Sequence, residues 1–281
     1  MTTKQKLQIK EALVRYVATH PTSIAAAATL QGITTQHIAQ VLHNNWEMVT
    51  EKTWHQLARQ IGFFQNEWNP ADTGTHLLLR ILFSDAQHFA LAYGIAISNG
   101  LGKTFTACQY VRENETAAII SCSELHNRKT FIIALLESLN QPVTGTVPQL
   151  VQQFADTIAE RNEPLLIIDD AHKLKDRVLH FLITIVNCVS DRCGIVIMGN
   201  EELSTRIITG ARQNREGFAM IYNTIGRRFI TLGRPGPNDV DMICRANGVT
   251  NADVIDYIKE QCGNSLHGIE HLVQHSRRKA A

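Results

Sequence analysis

Hydrophobic positions in the first 66 residues recur at helical spacing. Leu7, Ala12, Leu13, Tyr16 and Val17 fall near a 3.6-residue period and predict a helix over Lys4–Ala18. His20-Pro21-Thr22 breaks it, and Ser23 reads as the N-cap of a helix over Ile24–Leu30. Gly32-Ile33-Thr34 forms a turn, with Thr34 capping Thr35–His43; Asn44-Asn45 breaks again, and Thr50 caps Glu51–Ile61. Residues 67–75, with Pro70 and Gly74, read as a linker. From about residue 76 the pattern changes. Short continuous apolar runs appear at Ala90–Ser98, Ala117–Cys122, Leu165–Asp169, Ile195–Gly199 and Phe229–Leu232. Between them lie the helix-length segments Phe105–Glu113, Arg128–Asn140, Val147–Ala159, Arg177–Val189 and Glu201–Thr209. Such alternation predicts parallel strands covered on both faces. After Gly233-Arg234-Pro235-Gly236-Pro237 the strands stop, and helical segments broken at Gly248 and Gly263 follow. The expected architecture is an α/β core with a parallel sheet over 76–235. A small all-helical domain over 1–66 precedes it, and a helical lid with a basic tail over 236–281 follows.

Composition narrows the classes. The chain has 281 residues, 44% of them hydrophobic and 19% charged, the balance of a folded globular protein. No apolar run reaches the roughly 18 residues that span a bilayer, so no membrane association is expected. The start, Met-Thr-Thr-Lys-Gln-Lys, has no apolar segment of a secretory signal. The six cysteines form no CxxC pair, which argues against zinc and disulfide frameworks and for a reducing, cytoplasmic location. A net charge of +1 by itself argues against a nucleic-acid partner, but a sum hides distribution.

The chemistry begins at Gly100-Leu101-Gly102-Lys103-Thr104, which follows an apolar run and opens a helix. Small residues let backbone N–H groups converge on a phosphate, and the helix N-terminus adds partial positive charge. Asn99, Gly100, Leu101, Gly102, Lys103, Thr104 and Phe105 are therefore the candidate nucleotide-binding residues. Lys103 would reach the β- and γ-phosphates, and the Thr104 hydroxyl would hold Mg²⁺. The first glycine of the usual eight-residue phosphate loop falls at position 97, which is Ile97. About 65 residues on, Leu165-Leu166-Ile167-Ile168 ends in Asp169 and Asp170. Asp169 suits an outer ligand of Mg²⁺, and Asp170 suits polarisation of the attacking water. A further strand, Ile195–Gly199, ends at Asn200, an amide suited to orienting water near the γ-phosphate. Arg227 and Arg228, at the end of a helix before a strand, can project towards a neighbour's nucleotide and stabilise transition-state charge.

Gly-Leu-Gly-Lys-Thr, Leu-Leu-Ile-Ile-Asp-Asp-Ala-His-Lys-Leu, Met-Gly-Asn-Glu-Glu-Leu and Gly-Arg-Arg-Phe, in this order, resemble an AAA+ ATPase. More narrowly they resemble transposition ATPases of the Mu phage B protein type, which carry an N-terminal helix-turn-helix domain. The resemblance implies a P-loop core in which Lys103 and Thr104 belong to the Walker A motif and Asp169 and Asp170 to Walker B. Asn200 is then the sensor 1 residue, and Arg227 or Arg228 the arginine finger. Three positions depart from the pattern: Ile97, Asp170 in place of Glu, and His267 where a sensor 2 arginine is expected. Together they imply ATP binding with slow hydrolysis.

The rhythm of residues 24–42, with Gly32 at its turn, is that of a helix-turn-helix of the λ-repressor-like kind. Thr35, Gln36 and Gln40 become candidate DNA contacts, Gln36 and Gln40 lying on one helical face. Residues 1–66 carry six Lys and Arg against three acids. Arg206, Arg212 and Arg215 lie in a second basic stretch, and Arg277, Arg278 and Lys279 in a third. An oligomer multiplies such patches, so a nearly neutral subunit can still bind DNA. The expected function is an ATP-dependent regulator of transposition. It would use ATP and Mg²⁺, assemble as a ring or helical filament on double-stranded DNA with little sequence preference, and recruit or activate a transposase. Two alternatives stand beside it. One is an AAA+ helicase loader; the other is a nucleotide-sensing transcriptional regulator that reads an operator through its helix-turn-helix.

Overall fold

The computed structural model describes residues 3–18, 20, 22, 29–30, 32–61, 68–189, 191–233, 235–263 and 265–280. The chain divides into two compact units, 1–68 and 69–281.

In the first unit, helices α1 (Thr3–Ala18), α2 (Thr35–Leu42) and α3 (Glu51–Gln60) fall close to the predicted spans. The helix expected over Ile24–Leu30 lies almost wholly outside the described residues. Thr34 and Thr50 cap α2 and α3 by accepting hydrogen bonds from the backbone N–H of His37 and Thr53, each at 3.2 Å. Gly32 has φ +69°, a conformation that L side chains rarely adopt, so the turn favours glycine. Ile9, Leu13, Ile38, Val41 and Leu57 pack around Trp54, whose ring meets Trp46 edge-on at 5.9 Å. Because Trp54 is completely buried, Trp54→Ala is expected to cost about 3–5 kcal/mol of this unit's stability, read by urea denaturation followed by circular dichroism. A loss under about 1 kcal/mol would contradict this packing role.

The second unit is a five-stranded parallel sheet in the order β2-β3-β4-β1-β5, where β1 is Ala92–Ala96, β2 Ala117–Ser121, β3 Leu165–Asp169, β4 Gly194–Gly199 and β5 Phe229–Ile230. Alternate residues of the continuous apolar runs face opposite sides, which is why every position in β3 and β4 is apolar or small until the acid at 169. Leu166, Ile168, Ile195 and Ile197 enter one core beneath α6 (Arg128–Ser138), α7 (Val147–Ala159), α8 (Asp176–Val189), α9 (Glu201–Arg212) and α10 (Phe218–Thr224). Leu165, Ile167, Val196 and Met198 enter the other, beneath α4 (Gly74–Phe89) and α5 (Lys103–Glu113). The α/β architecture with helices on both faces is thus as expected.

Helix α4 was not among the predicted helices. The apolar run beginning near Phe89 hid its end, which Ala90 closes in the left-handed region at φ 50°. It lies so close to β4 that a Cβ on Gly194 would fall 2.2 Å from the Ala86 carbonyl oxygen. Helices α11 (Pro237–Ala246), α12 (Ala252–Gln261) and α13 (Leu266–Ala280) follow the sheet, breaking near Gly248 and Gly263. They hold the segment read as a linker. The amide of fully buried Asn247 accepts from Asn69 N at 2.9 Å and donates to Asn69 O at 3.0 Å, and Gly74 N donates to Asp239 at 3.3 Å.

Candidate functional site

The parallel sheet brings the C-terminal ends of β1, β3 and β4 side by side, the edge at which α/β proteins place their chemistry. β1 runs into the loop 97–102, with Ile97 N donating to Gly199 O at 3.0 Å. Gly100 and Gly102 adopt φ +77° and +80°, which L side chains rarely take, and α5 starts at Lys103. Lys103 is only 6% exposed. Its Nζ donates to the carbonyls of Ile97 at 2.6 Å and Ser98 at 2.9 Å, so the ammonium is folded against its own loop. Burial holds its pKa below the usual lysine range, while Asp169, Asp170 and Glu201 oppose that shift.

Asp169 is fully buried at the end of β3. Its Oδ2 accepts from Thr104 Oγ1 at 2.5 Å and its Oδ1 from Asp170 N at 2.8 Å. Burial raises its pKa, and the Thr104 hydroxyl is the largest influence opposing that. Asp170 follows in the left-handed region, φ 56°, with Oδ2 bonded to Lys173 Nζ at 2.5 Å. Asn200 caps α9: its Oδ1 accepts from the N–H of Glu202 and Leu203, and its Nδ2 donates to Glu202. The structure therefore brings Lys103, Thr104 and Asp169 into one cluster. It leaves the Asp170 carboxylate on Lys173 and the Asn200 amide on its own helix.

Other residues touch the loop or the first turn of α5 without having been anticipated. Ser98 Oγ donates to Glu201 Oε1 at 2.6 Å. Leu266 N, at the start of α13, donates to Gly100 O at 2.8 Å. A Cβ on Gly100 would fall 2.6 Å from Ser265 Oγ, and one on Gly102 would fall 2.8 Å from Leu266. Buried His76 shares a 3.0 Å hydrogen bond with Thr106 and faces Phe105 at 6.5 Å. Ser98 lies inside the eight-residue window of the phosphate loop and Glu201 directly follows Asn200, so both had a local signal. Ser265 and Leu266 directly precede His267, and His76 had no signal. His267 does not reach the loop; its side chain is 87% exposed and lies 3.9 Å from Glu270. Arg227, at φ 58°, and Arg228 are both exposed on the turn leading into edge strand β5.

The candidate DNA contacts divide. Thr35 and Gln36 are exposed on the first turn of α2, while Gln40 is half-buried with its Oε1 out of contact with water. Arg206 is not a free cation: it pairs with Asp176 and donates to the carbonyls of His172 and Leu174. Arg215 also pairs with Asp176, at 2.6 Å, and lies over the Phe218 ring. Both arginines, expected to face DNA, are thus already engaged within the chain. One carboxylate at the start of α8 holds them, and carboxylate and phosphate would compete for the same donors. Arg277 is likewise half-buried, with Nε donating to the Asn247 carbonyl. Arg212 is exposed, and the side chains of Arg278 and Lys279 lie outside the described residues.

The donor set fits Mg²⁺ in type: a threonine hydroxyl and a carboxylate are hard oxygen ligands, with remaining positions left for phosphate and water. Among the described residues no cluster of three or more His, Cys, Asp or Glu stands ready to hold a metal alone. Among them, too, no helix is long and apolar enough to cross a membrane.

Residues 87–207 match the protein family described as "AAA domain", a span that takes in loop 97–102, β3 and the end of β4. No curated protein matches the sequence. A solved structure described as that of a DNA replication initiation factor is 16% identical, with a TM-score of 0.48 over 77% of this chain and 66% of the other. The chain thus spans just under two thirds of that protein's length.

Proposed function

We propose that the second unit binds ATP with Mg²⁺ at loop 97–104 and hydrolyses it slowly. We further propose that the ATP-bound chain assembles on double-stranded DNA and recruits or activates a transposase. The observation that carries the nucleotide reading is the contact between exposed Thr104 and buried Asp169, 65 residues apart, beside a lysine folded against the loop. Lys103 can exchange its two carbonyl partners for phosphate oxygens of greater charge. Thr104 and Asp169 would hold the metal, which when bound supplies positive charge against the phosphate oxygens. Asp170 is the carboxylate nearest the task of polarising water, and Lys173 occupies it. That pairing supports slow turnover.

Lys173→Ala is expected to raise the hydrolysis rate about twofold to fivefold, since a half-exposed ion pair is worth up to about 1 kcal/mol. A steady-state phosphate-release assay reads this, and a fall in rate would show that Lys173 serves Asp170 rather than restrains it.

The transposition reading rests on the order of sequence motifs and on the small helical unit before the core. Electron microscopy with a non-hydrolysable ATP analogue and duplex DNA tests it. Rings or helical filaments on the duplex are expected. Isolated particles on one palindromic site would favour an operator-binding regulator, and preference for single strands would favour a helicase loader.

A further inference from the structure

Beside the phosphate loop stands a carboxylate that the proposed hydrolysis does not use. Glu201 opens α9 and accepts the 2.6 Å hydrogen bond from Ser98 Oγ. The carbonyl of the same Ser98 accepts from Lys103 Nζ at 2.9 Å. An acid and a cation therefore meet on one residue of the loop, and the charge of Glu201 is felt at the lysine, where it opposes the effect of burial. The two neighbours of Glu201 are turned elsewhere: Asn200 caps the helix and Glu202 accepts from Asn200 Nδ2. In the run Asn200-Glu201-Glu202, it is the middle residue that reaches across to the loop.

A loop that gathers N–H groups and a lysine attracts anions, and an acid bonded to it works against them. The opposition falls unevenly on nucleotides. Lysine in such a loop reaches the β- and γ-phosphates, so Ser98, where the ammonium rests, marks the end of the loop that receives the outermost phosphate. We propose that Glu201 determines how this site discriminates between nucleoside di- and triphosphates. Bonded to Ser98, its charge disfavours the terminal phosphate, and a bound triphosphate displaces it from Ser98. The inference rests on the nucleotide reading of the loop.

The test is calorimetric titration of the full chain, with Mg²⁺, by a non-hydrolysable ATP analogue and by ADP. Glu201→Gln keeps the side chain's size and its ability to pair with Ser98 but removes the charge. It is expected to tighten the analogue's Kd about tenfold while shifting that of ADP less than about twofold. Ser98→Ala, which releases the acid, is expected to change the ratio in the same direction by a smaller factor. A contact that only braces the loop would weaken both nucleotides together when broken, and that result would overturn the proposal, as would an unchanged ratio in Glu201→Gln. A wild-type chain that binds neither nucleotide would overturn the nucleotide reading and this inference with it. A wild-type chain that binds both, with no response to Glu201→Gln, would overturn this inference alone.

Discussion

Lys103→Ala is expected to weaken binding of a non-hydrolysable ATP analogue by about 100-fold, roughly 2.7 kcal/mol, with the fold intact. The ammonium is 6% exposed and has two backbone carbonyls as partners. Burial lowers its pKa, so its charge is already held at a cost that an incoming anion would relieve. Removing it leaves the two carbonyls facing the phosphate site, where they repel an anion. Thermal unfolding separates the two effects. A variant that unfolds near the wild-type temperature but no longer binds nucleotide fits this role, whereas one that binds nucleotide normally would remove Lys103 from the site.

Asp169→Asn is expected to lower the rate of ATP hydrolysis about 100-fold and to raise the Mg²⁺ concentration needed for half-maximal activity. The amide keeps an oxygen for Thr104 but loses the charge that would hold a divalent cation. The wild-type pH dependence follows from the same residue. Burial raises the Asp169 pKa, so protons compete with the metal at a higher pH than for an ordinary aspartate. Activity is expected to fall on acidification through that raised pKa, while the Asn variant lacks that fall. For stability the sign is opposite. A carboxyl whose folded pKa is raised favours the fold when protonated, and this contribution is lost as pH rises from the unfolded to the folded pKa. A Mg²⁺ titration of phosphate release reads the first effect, and an unchanged metal requirement in Asp169→Asn would contradict it.

Much of the molecule was legible in the chain because the relevant signals are local. Five apolar runs gave five parallel strands, and β3 began and ended at the predicted residues. Thr34 and Thr50 cap their helices as their positions suggested, because a cap involves residues only three apart. The candidate site was legible where its parts lie directly at a helix start, Lys103 and Thr104, or at a strand end, Asp169. It was not legible where partners are distant. Ser98 and Glu201 are 103 residues apart, and the contact of Leu266 with Gly100 spans the whole core. Charge counting also gave no sign of the partner that Arg206 and Arg215 share. A basic stretch on one segment says nothing of the acid on another, and Asp176 lies 30 and 39 residues away from them. His267 shows the same limit: the start of α13 does meet loop 97–102, but through Ser265 and Leu266 on the inward side, while the next residue points to solvent.

We propose that nucleotide at loop 97–104 governs assembly on DNA. The most direct measurement is the affinity of the full chain for a long duplex of arbitrary sequence, with Mg²⁺ and either a non-hydrolysable ATP analogue, ADP or no nucleotide. The predicted result is binding at least about tenfold tighter with the analogue, steeply weakened by salt and lost in Lys103→Ala. Equal affinity under all three conditions would contradict it.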